Sequence, residues 1–176
     1  MHFAQCIALE LSESGGRLDE QARLRSSRYL SALPGLPGGS TVHAQEITAY
    51  LAASHISVVA TINRHGHPHL TPNWYRYDGK VLTLITRKDR LKYLNLQRDN
   101  HIAVCIYDPP AASNYVVISG TATCNDQDIW DEARHIVERY RAPGEVDDYV
   151  ARWKTEPRVL ITVTPEHIAT RVSGRR

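Results

Sequence analysis

The chain has 176 residues, 42% of them hydrophobic, which is enough to bury one core but hardly two. Its 21 Lys and Arg residues against 19 Asp and Glu residues leave a net charge of +2, which gives no reason to propose a nucleic acid or a membrane surface as partner. No apolar run approaches the roughly 18 to 20 residues of a membrane span and no secretory signal is recognisable, so we expect a cytoplasmic protein.

The N-terminal part differs in composition from the rest. Residues 1–41 mix Ser, Gly, Arg and Leu, and the Pro and Gly residues of Leu33–Ser40 are typical of a linker. We therefore predict a flexible arm and linker over 1–41 and one globular domain over 42–176. The cysteines are odd in number and lack CxxC or zinc-type spacing, which favours unpaired thiols in a reducing compartment. They are Cys6, Cys105 and Cys124.

The domain begins with a helix and a meander of strands. Ile47, Tyr50 and Leu51 share one face of a helix that starts near Thr41. A segment rich in β-branched residues, Ile56–Asn63, and two further candidate strands then alternate with tight turns. We predict strands over Ile56–Asn63, Pro68–Tyr77 and Lys80–Thr86, with turns at Arg64–Gly66 and Asp78–Gly79.

The second half adds more strands, two helices and a loop. The hydrophobic period changes from two to 3.6 residues over the first helix and returns to two after the second. Six or so antiparallel strands with a few helices predict a mainly β fold, a six-stranded closed or split barrel, because closure hides strand edges. The segments are strands His101–Asp108, Asn114–Thr123 and Arg158–Thr164, helices Asp126–Tyr140 and Val146–Trp153, the loop Asp108–Ser113, and an edge at His167–Val172 beyond Pro165.

A short basic segment follows the third strand. Asp89 is the predicted N-cap of a short helix whose Leu91, Leu94 and Leu96 pack inward. A strand that runs into a helix start carrying Arg90 and Lys92 is a natural phosphate site. The alternative interpretation is a solvated basic helix face.

In their order and spacing, five segments resemble the pyridoxamine 5'-phosphate oxidase-like split-barrel flavoproteins, particularly the branch that uses the deazaflavin coenzyme F420. The resemblance spans most of the chain, from about Ile47 to Val172. It implies an FMN-binding split barrel that forms a homodimer with two cofactor sites at the interface. The segments are Val58–Asn63, Gly66–Pro72, Asp78–Leu82, Arg90–Asp99 and Val117–Ala122.

The resemblance also implies cofactor-binding residues. Arg can grip a phosphate through two hydrogen bonds, Lys adds a point charge and a Thr hydroxyl donates a further bond. The strand that backs the flavin ring contains a proline, so neighbouring amides must serve the ring edge; an edge strand with a proline is the alternative. The phosphate contacts fall on Thr86, Arg90 and Lys92, and the ring strand on Thr71, Pro72 and Asn73. Arg87 and Lys88 are candidates for the acidic tail of F420.

Other candidate residues carry weaker signals. His65, His67 and His69 alternate, but no carboxylate or Cys completes a metal ligand set, so we predict no metal site and keep His69 as a residue that could face the ring. Trp74 and Tyr75 are expected to pack in the barrel or at an interface, with Tyr75 as a candidate proton donor or contact to the ring. No nucleophile is paired with a base, and no catalytic residue is assigned.

The resemblance implies an enzyme that transfers a hydride between reduced F420 and a small unsaturated acceptor. An FMN-dependent oxidase or reductase is the alternative. A second alternative is a non-catalytic module that binds flavin or haem, in which His101 or His167 would be the axial ligand of the haem. A structural homodimer with an empty site is a third.

Overall fold

The computed structural model of the chain describes residues 41–109 and 113–172. The predicted arm lies outside these ranges except at Thr41, the first residue of α1. The helices are α1 (Thr41–Ala52), α2 (Leu91–Leu96), α3 (Trp130–Glu138) and α4 (Val146–Lys154), with a 3-10 turn at Pro143–Glu145 before α4. The strands are β1 (Ser57–Ile62), β2 (Pro68–Asn73), β3 (Arg76–Tyr77), β4 (Leu82–Arg87), β5 (His101–Tyr107), β6 (Tyr115–Asn125) and β7 (Arg158–Arg171).

The strands form one antiparallel sheet in the order β2-β1-β5-β6-β7-β4-β3. β2 and β3 are its two edges, yet only Trp74 and Tyr75 separate them in the chain. From Asn73 to Arg76 an extended chain spans about 11 Å, whereas the edges of a flat seven-stranded sheet lie about 29 Å apart. The sheet must therefore curl, and Nδ2 of Asn73 in β2 donates to the carbonyl oxygen of Ile85 in β4 at 3.2 Å. The predicted mainly β split barrel is confirmed, with seven strands instead of six.

The seventh strand arises because the predicted strand Pro68–Tyr77 is two strands. Tyr75 is fully buried, and its hydroxyl donates to the carbonyl oxygen of Leu51 at 3.0 Å. The preceding side chain, Trp74, packs instead against the helical cluster of α3 and α4. The chain therefore leaves β2 at Asn73 and crosses to the other edge of the sheet.

The last strand is longer than predicted, because Pro165 does not end it. The ladder between β6 and β7 shifts register between Ser119 and Gly120, which leaves Glu166 as an extra residue between two pairs. A proline lacks a backbone donor and is tolerated at such a bulge. β7 therefore continues through the predicted edge segment to Arg171.

Two apolar cores hold the fold together. The larger lies inside the barrel, where α1 contributes Ile47 and Leu51. The smaller joins α3 and α4 to β4 through Ile85. The buried face of α3 is formed by Ala133, Ile136 and Val137, and Ile129 just before the helix is also buried.

None of the helices in the two described ranges is both long and apolar enough to cross a membrane. Cys105 and Cys124 are half-buried free thiols, and burial raises the pKa of both. Cys6 lies outside the described residues, as does the centre of the loop Asp108–Ser113.

Candidate functional site

The six residues implied by the resemblance line one cleft of about 490 Å³. The curl of the sheet brings the end of β2 beside the end of β4, and α2 starts four residues after β4 ends. Within β2, alternate residues from His69 to Asn73 are half-buried, while Pro72 lies on the exposed face of the strand. Thr71, Pro72 and Asn73 come from β2, Thr86 from β4, and Arg90 and Lys92 from the start of α2.

Lys92 is the most deeply placed cation of the cleft, with 5% of its surface exposed. Its Nζ donates a hydrogen bond to Oδ1 of Asn73. The Asn73 amide is oriented by its own nitrogen, which donates to the carbonyl oxygens of Trp74 at 3.0 Å and Ile85 at 3.2 Å. Burial, with a smaller effect from the charge of Arg90, lowers the pKa of Lys92 to about 8.

The helix α2 is rotated relative to the sequence prediction. Leu91 and Leu94 are 46% and 52% exposed, so the expectation that they pack inward was wrong. Lys92 and Asn95 are buried instead, because Lys92 reaches Asn73 and Nδ2 of Asn95 donates to Oγ1 of Thr61 at 3.0 Å. These two polar contacts to neighbouring strands fix the rotation of a helix that is only six residues long.

The predicted N-cap was also wrong. Arg90 occupies the N-cap position and makes no side-chain cap bond. Asp89 accepts a hydrogen bond from Nε of Arg87 at 2.9 Å, and the hydrogen bonds and charge of Arg87 lower the pKa of Asp89. Lys88 pairs with Asp126. Both candidates for the acidic tail of F420 are therefore already paired with carboxylates.

Three buried polar atoms at the cleft have no hydrogen-bond partner among the residues that the structure describes. They are Nδ1 of His69, Oγ1 of Thr71 and Nε of Arg158, and all three residues line the cleft. A buried polar atom without a partner costs about 1 to 3 kcal/mol. A polar ligand in this cleft would remove that cost, so the residues present suit a phosphate-bearing cofactor with further hydrogen-bonding groups.

The sequence analysis missed Arg158 and Glu156 as site residues. The β4–β7 ladder pairs Arg87 with Arg158, which brings the start of β7 to the cleft. Arg158 forms an ion pair with Glu156, whose Oε1 also lies 3.7 Å from Nη1 of Arg87. Burial lowers the pKa of Arg158, and the carboxylate of Glu156 opposes that effect. Only the strand pairing could have revealed this contribution, because Arg87 and Arg158 are far apart in the sequence.

A second cavity, of about 660 Å³, adjoins the first and shares lining residues with it, among them Pro72, Asn73 and Arg158. Its walls are aromatic. Trp74, predicted to pack in the barrel or at an interface, stacks on Tyr140 with ring centroids 5.0 Å apart and also borders this cavity. The residues that belong to this cavity alone are Ile56, Trp74, Tyr149, Arg152 and Trp153.

The remaining candidates lie away from the cleft. Tyr75 lines neither cavity, and burial raises its pKa. His101 is exposed and its Nδ1 lies 2.7 Å from Oδ1 of Asp99, and His167 is exposed on β7. In residues 41–109 and 113–172, no three His, Cys, Asp or Glu side chains come together as a metal site.

Comparison with known proteins identifies a sequence family and several solved structures with a similar fold. A sequence model described as pyridoxamine 5'-phosphate oxidase matches residues 43–171. A solved F420 reductase matches with a TM-score of 0.57 at 23% identity, covering 76% of this chain and 98% of the other. A conserved hypothetical protein from Mycobacterium tuberculosis matches with a TM-score of 0.61 at 26% identity, covering 73% and 83%. A heme binding protein from Mycobacterium smegmatis matches with a TM-score of 0.57 at 18% identity, covering 75% and 55%.

Proposed function

Because the chain belongs to the pyridoxamine 5'-phosphate oxidase family, we propose that it is an oxidoreductase that binds coenzyme F420 in the cleft between β2, β4 and α2. It transfers a hydride between reduced F420 and a small unsaturated acceptor. The observation that carries this proposal is the convergence of buried Lys92 with Nδ1 of His69 and Oγ1 of Thr71, two buried atoms without a partner among the described residues, on one cleft.

The phosphate would be held at the α2 end of the cleft. Lys92 supplies a charge there, Arg90 can add a two-point hydrogen bond, and Thr86 supplies a hydroxyl. Arg90 is free to move toward a ligand, since its side chain is 60% exposed and its one ion-pair contact within residues 41–109 and 113–172, to Asp89, is 4.0 Å long. These three side chains lie at the end of β4 and at the start of α2.

The polar edge of the ring system would lie along β2. The hydroxyl of Thr71 and the imidazole of His69 have unpartnered atoms there. Pro72 contributes no backbone donor, so its neighbours serve the ring. When bound, reduced F420 supplies a hydride from C5, as reduced FMN would from N5.

F420 is favoured over FMN by the resemblance of the sequence segments to the F420 branch. The same cleft residues suit the phosphate of FMN. FMN is therefore the alternative cofactor, and one binding experiment separates the two.

A second copy of the chain is the proposed partner. Leu70 on β2 and Leu91 and Leu94 on α2 are 60%, 46% and 52% exposed, and all three lie on the elements that form the cleft. Exposed apolar residues of this size are typical of protein interfaces. We expect light scattering to give a dimer, and Leu70→Asp with Leu94→Asp to give a monomer, while Thr123→Asp, at an exposed strand position, leaves the dimer intact. A monomeric wild type would exclude this partner.

The proposed cofactor is tested by titrating the protein with F420 and with FMN, each followed by its fluorescence. We expect F420 to bind more tightly, and Arg90→Ala with Lys92→Ala to weaken it about 100-fold or more, since two charge-assisted contacts are lost. Arg64→Ala with Lys80→Ala removes the same charge from two exposed turns and serves as the matched control.

Each other outcome leads to a different interpretation. A preference for FMN would identify a flavin oxidase or reductase. A Soret band on addition of haem, without binding of F420 or FMN, would identify a haem-binding module. Absence of all three would leave a barrel without a cofactor and overturn the proposal.

A further inference from the structure

The second cavity is lined by two arginines, Arg152 and Arg158, and by one carboxylate, that of Glu156. Of the described residues that line the two cavities, five are Lys or Arg and one is a carboxylate. Arg87 is paired with Asp89, and Glu156 offsets one further cation, so three positive charges remain. Arg90 and Lys92 are assigned to the phosphate, which leaves Arg152 in the second cavity as the cation without an assigned anion. The cations are Arg87, Arg90, Lys92, Arg152 and Arg158.

Two of these arginines belong to the aromatic walls. Cζ of Arg152 lies 4.2 Å from the centre of the Tyr149 ring, and Cζ of Arg158 lies 4.4 Å from that of Trp153. Stacking uses the flat face of a guanidinium and leaves its N–H donors, which lie in the plane, free at the edge. The aromatic rings thus orient both arginines without using their hydrogen-bonding capacity.

In the described part of the chain only Nη2 of Arg158 uses that capacity, by donating to Glu156. There, the Arg152 guanidinium forms no ion pair or hydrogen bond, and Nε of Arg158 is buried without a partner. The planar N–H edge of arginine matches a carboxylate. A carboxylate at this position would be bound by Arg152 and the free edge of Arg158, while flat groups attached to it would lie among Trp74, Tyr149 and Trp153.

We propose that this cavity is the acceptor subsite and that it takes a planar, conjugated carboxylate. The role as acceptor rests on the proposed function. Binding of the carboxylate does not require the cofactor and can be measured without it. In the reaction the conjugated C=C bond gains one hydride and, from solvent, one proton. The acceptor is thereby reduced by the two electrons that reduced F420 loses.

The test is isothermal titration calorimetry of the purified protein without cofactor. The probe is trans-cinnamate. Its neutral amide, trans-cinnamamide, has nearly the same shape and lacks the charge. Arg152→Gln is the key variant because this residue is exposed and its loss leaves the cores intact. Arg64→Gln, on an exposed turn away from both cavities, is the matched control. Arg90→Gln removes a positive charge from the proposed phosphate site, and Arg90 does not line the second cavity.

We expect wild type to bind cinnamate more tightly than the amide, and Arg152→Gln to weaken cinnamate about tenfold or more. Arg64→Gln and Arg90→Gln should bind cinnamate like wild type, and Arg152→Gln should bind F420 like wild type. Equal affinity for acid and amide, or an unchanged Arg152→Gln, would overturn the subsite. A loss of F420 affinity in Arg152→Gln equal to its loss of cinnamate affinity would also overturn it, since the cavity would then belong to the cofactor.

Failure of the proposed function gives a different pattern. Wild type would then bind neither F420 nor FMN, whatever its affinity for cinnamate.

Discussion

The ammonium of Lys92 donates a hydrogen bond to Oδ1 of Asn73, which joins α2 to the end of β2 across the cleft. Lys92 is 5% exposed, and within the described ranges no carboxylate pairs with it. Buried charges in proteins are usually paired with an opposite charge. A buried cation held only by a neutral amide is therefore suited to an anionic ligand.

Replacing Lys92 with Met should separate binding from stability. Burial lowers the pKa of Lys92 from 10.5 to about 8, which corresponds to about 3 kcal/mol of desolvation cost in the charged form. Loss of the bond to Asn73 costs about 1 to 3 kcal/mol. We expect the free energy of unfolding at pH 7, measured in urea, to stay equal or rise by up to about 2 kcal/mol, while F420 affinity falls at least about tenfold. A less stable variant that keeps its affinity would contradict this.

Lys92 also gives stability a pH dependence. Its pKa is lower in the folded state, so between about pH 8 and 10.5 the unfolded chain binds more protons than the folded one. Stability therefore rises with pH across that window. We expect the free energy of unfolding of wild type, relative to Lys92→Met, to increase by about 2 to 3 kcal/mol between pH 7 and pH 10. A difference that stays flat would show that Lys92 keeps its ordinary pKa.

The strands were predictable because half-buried strands alternate, as in β1, β5 and β6. The break in Pro68–Tyr77 was not predictable, because Trp74 and Tyr75 are residue types common in strands. Their packing into two different cores depends on the tertiary fold. The rotation of α2 depends on contacts with two other strands and was hidden for the same reason. Thr86, Arg90 and Lys92 lie close together in the sequence, so a local pattern placed them together. Arg158 required the pairing of β4 with β7.

Gly120 is required by a close approach of two strands. A Cβ atom there would lie 2.0 Å from the carbonyl oxygen of Thr164 and 3.0 Å from the amide nitrogen of Glu166, both of which are backbone atoms. No side-chain rotation can relieve that clash. We expect Gly120→Ala to lose about 3 kcal/mol or more of stability in thermal and urea unfolding.

Gly144→Ala is the matched control for this substitution, because nothing lies within 4 Å of the position that its methyl group would take. Its stability should stay within about 0.5 kcal/mol of wild type. Equal melting temperatures for the two variants would contradict the close approach at the bulge.

Glu132 connects α3 to the strands that lead to the cleft. Both of its carboxylate oxygens accept from Nη1 of Arg76, at 2.9 and 2.8 Å, and one also accepts from the hydroxyl of Thr83. Glu132→Gln removes the charge and turns one acceptor into a donor that faces Arg76. We expect a loss of about 1 to 3 kcal/mol in urea unfolding. Glu138→Gln, exposed on the same helix, should change stability by less than about 0.5 kcal/mol, and equal losses in both variants would exclude this role.

A crystal structure of the protein with F420 bound tests the central claim most directly. The account predicts the phosphate in contact with Thr86, Arg90 and Lys92, and new hydrogen bonds to Oγ1 of Thr71 and Nδ1 of His69. Electron density for F420 at another surface, with those two atoms still unpartnered, would contradict it.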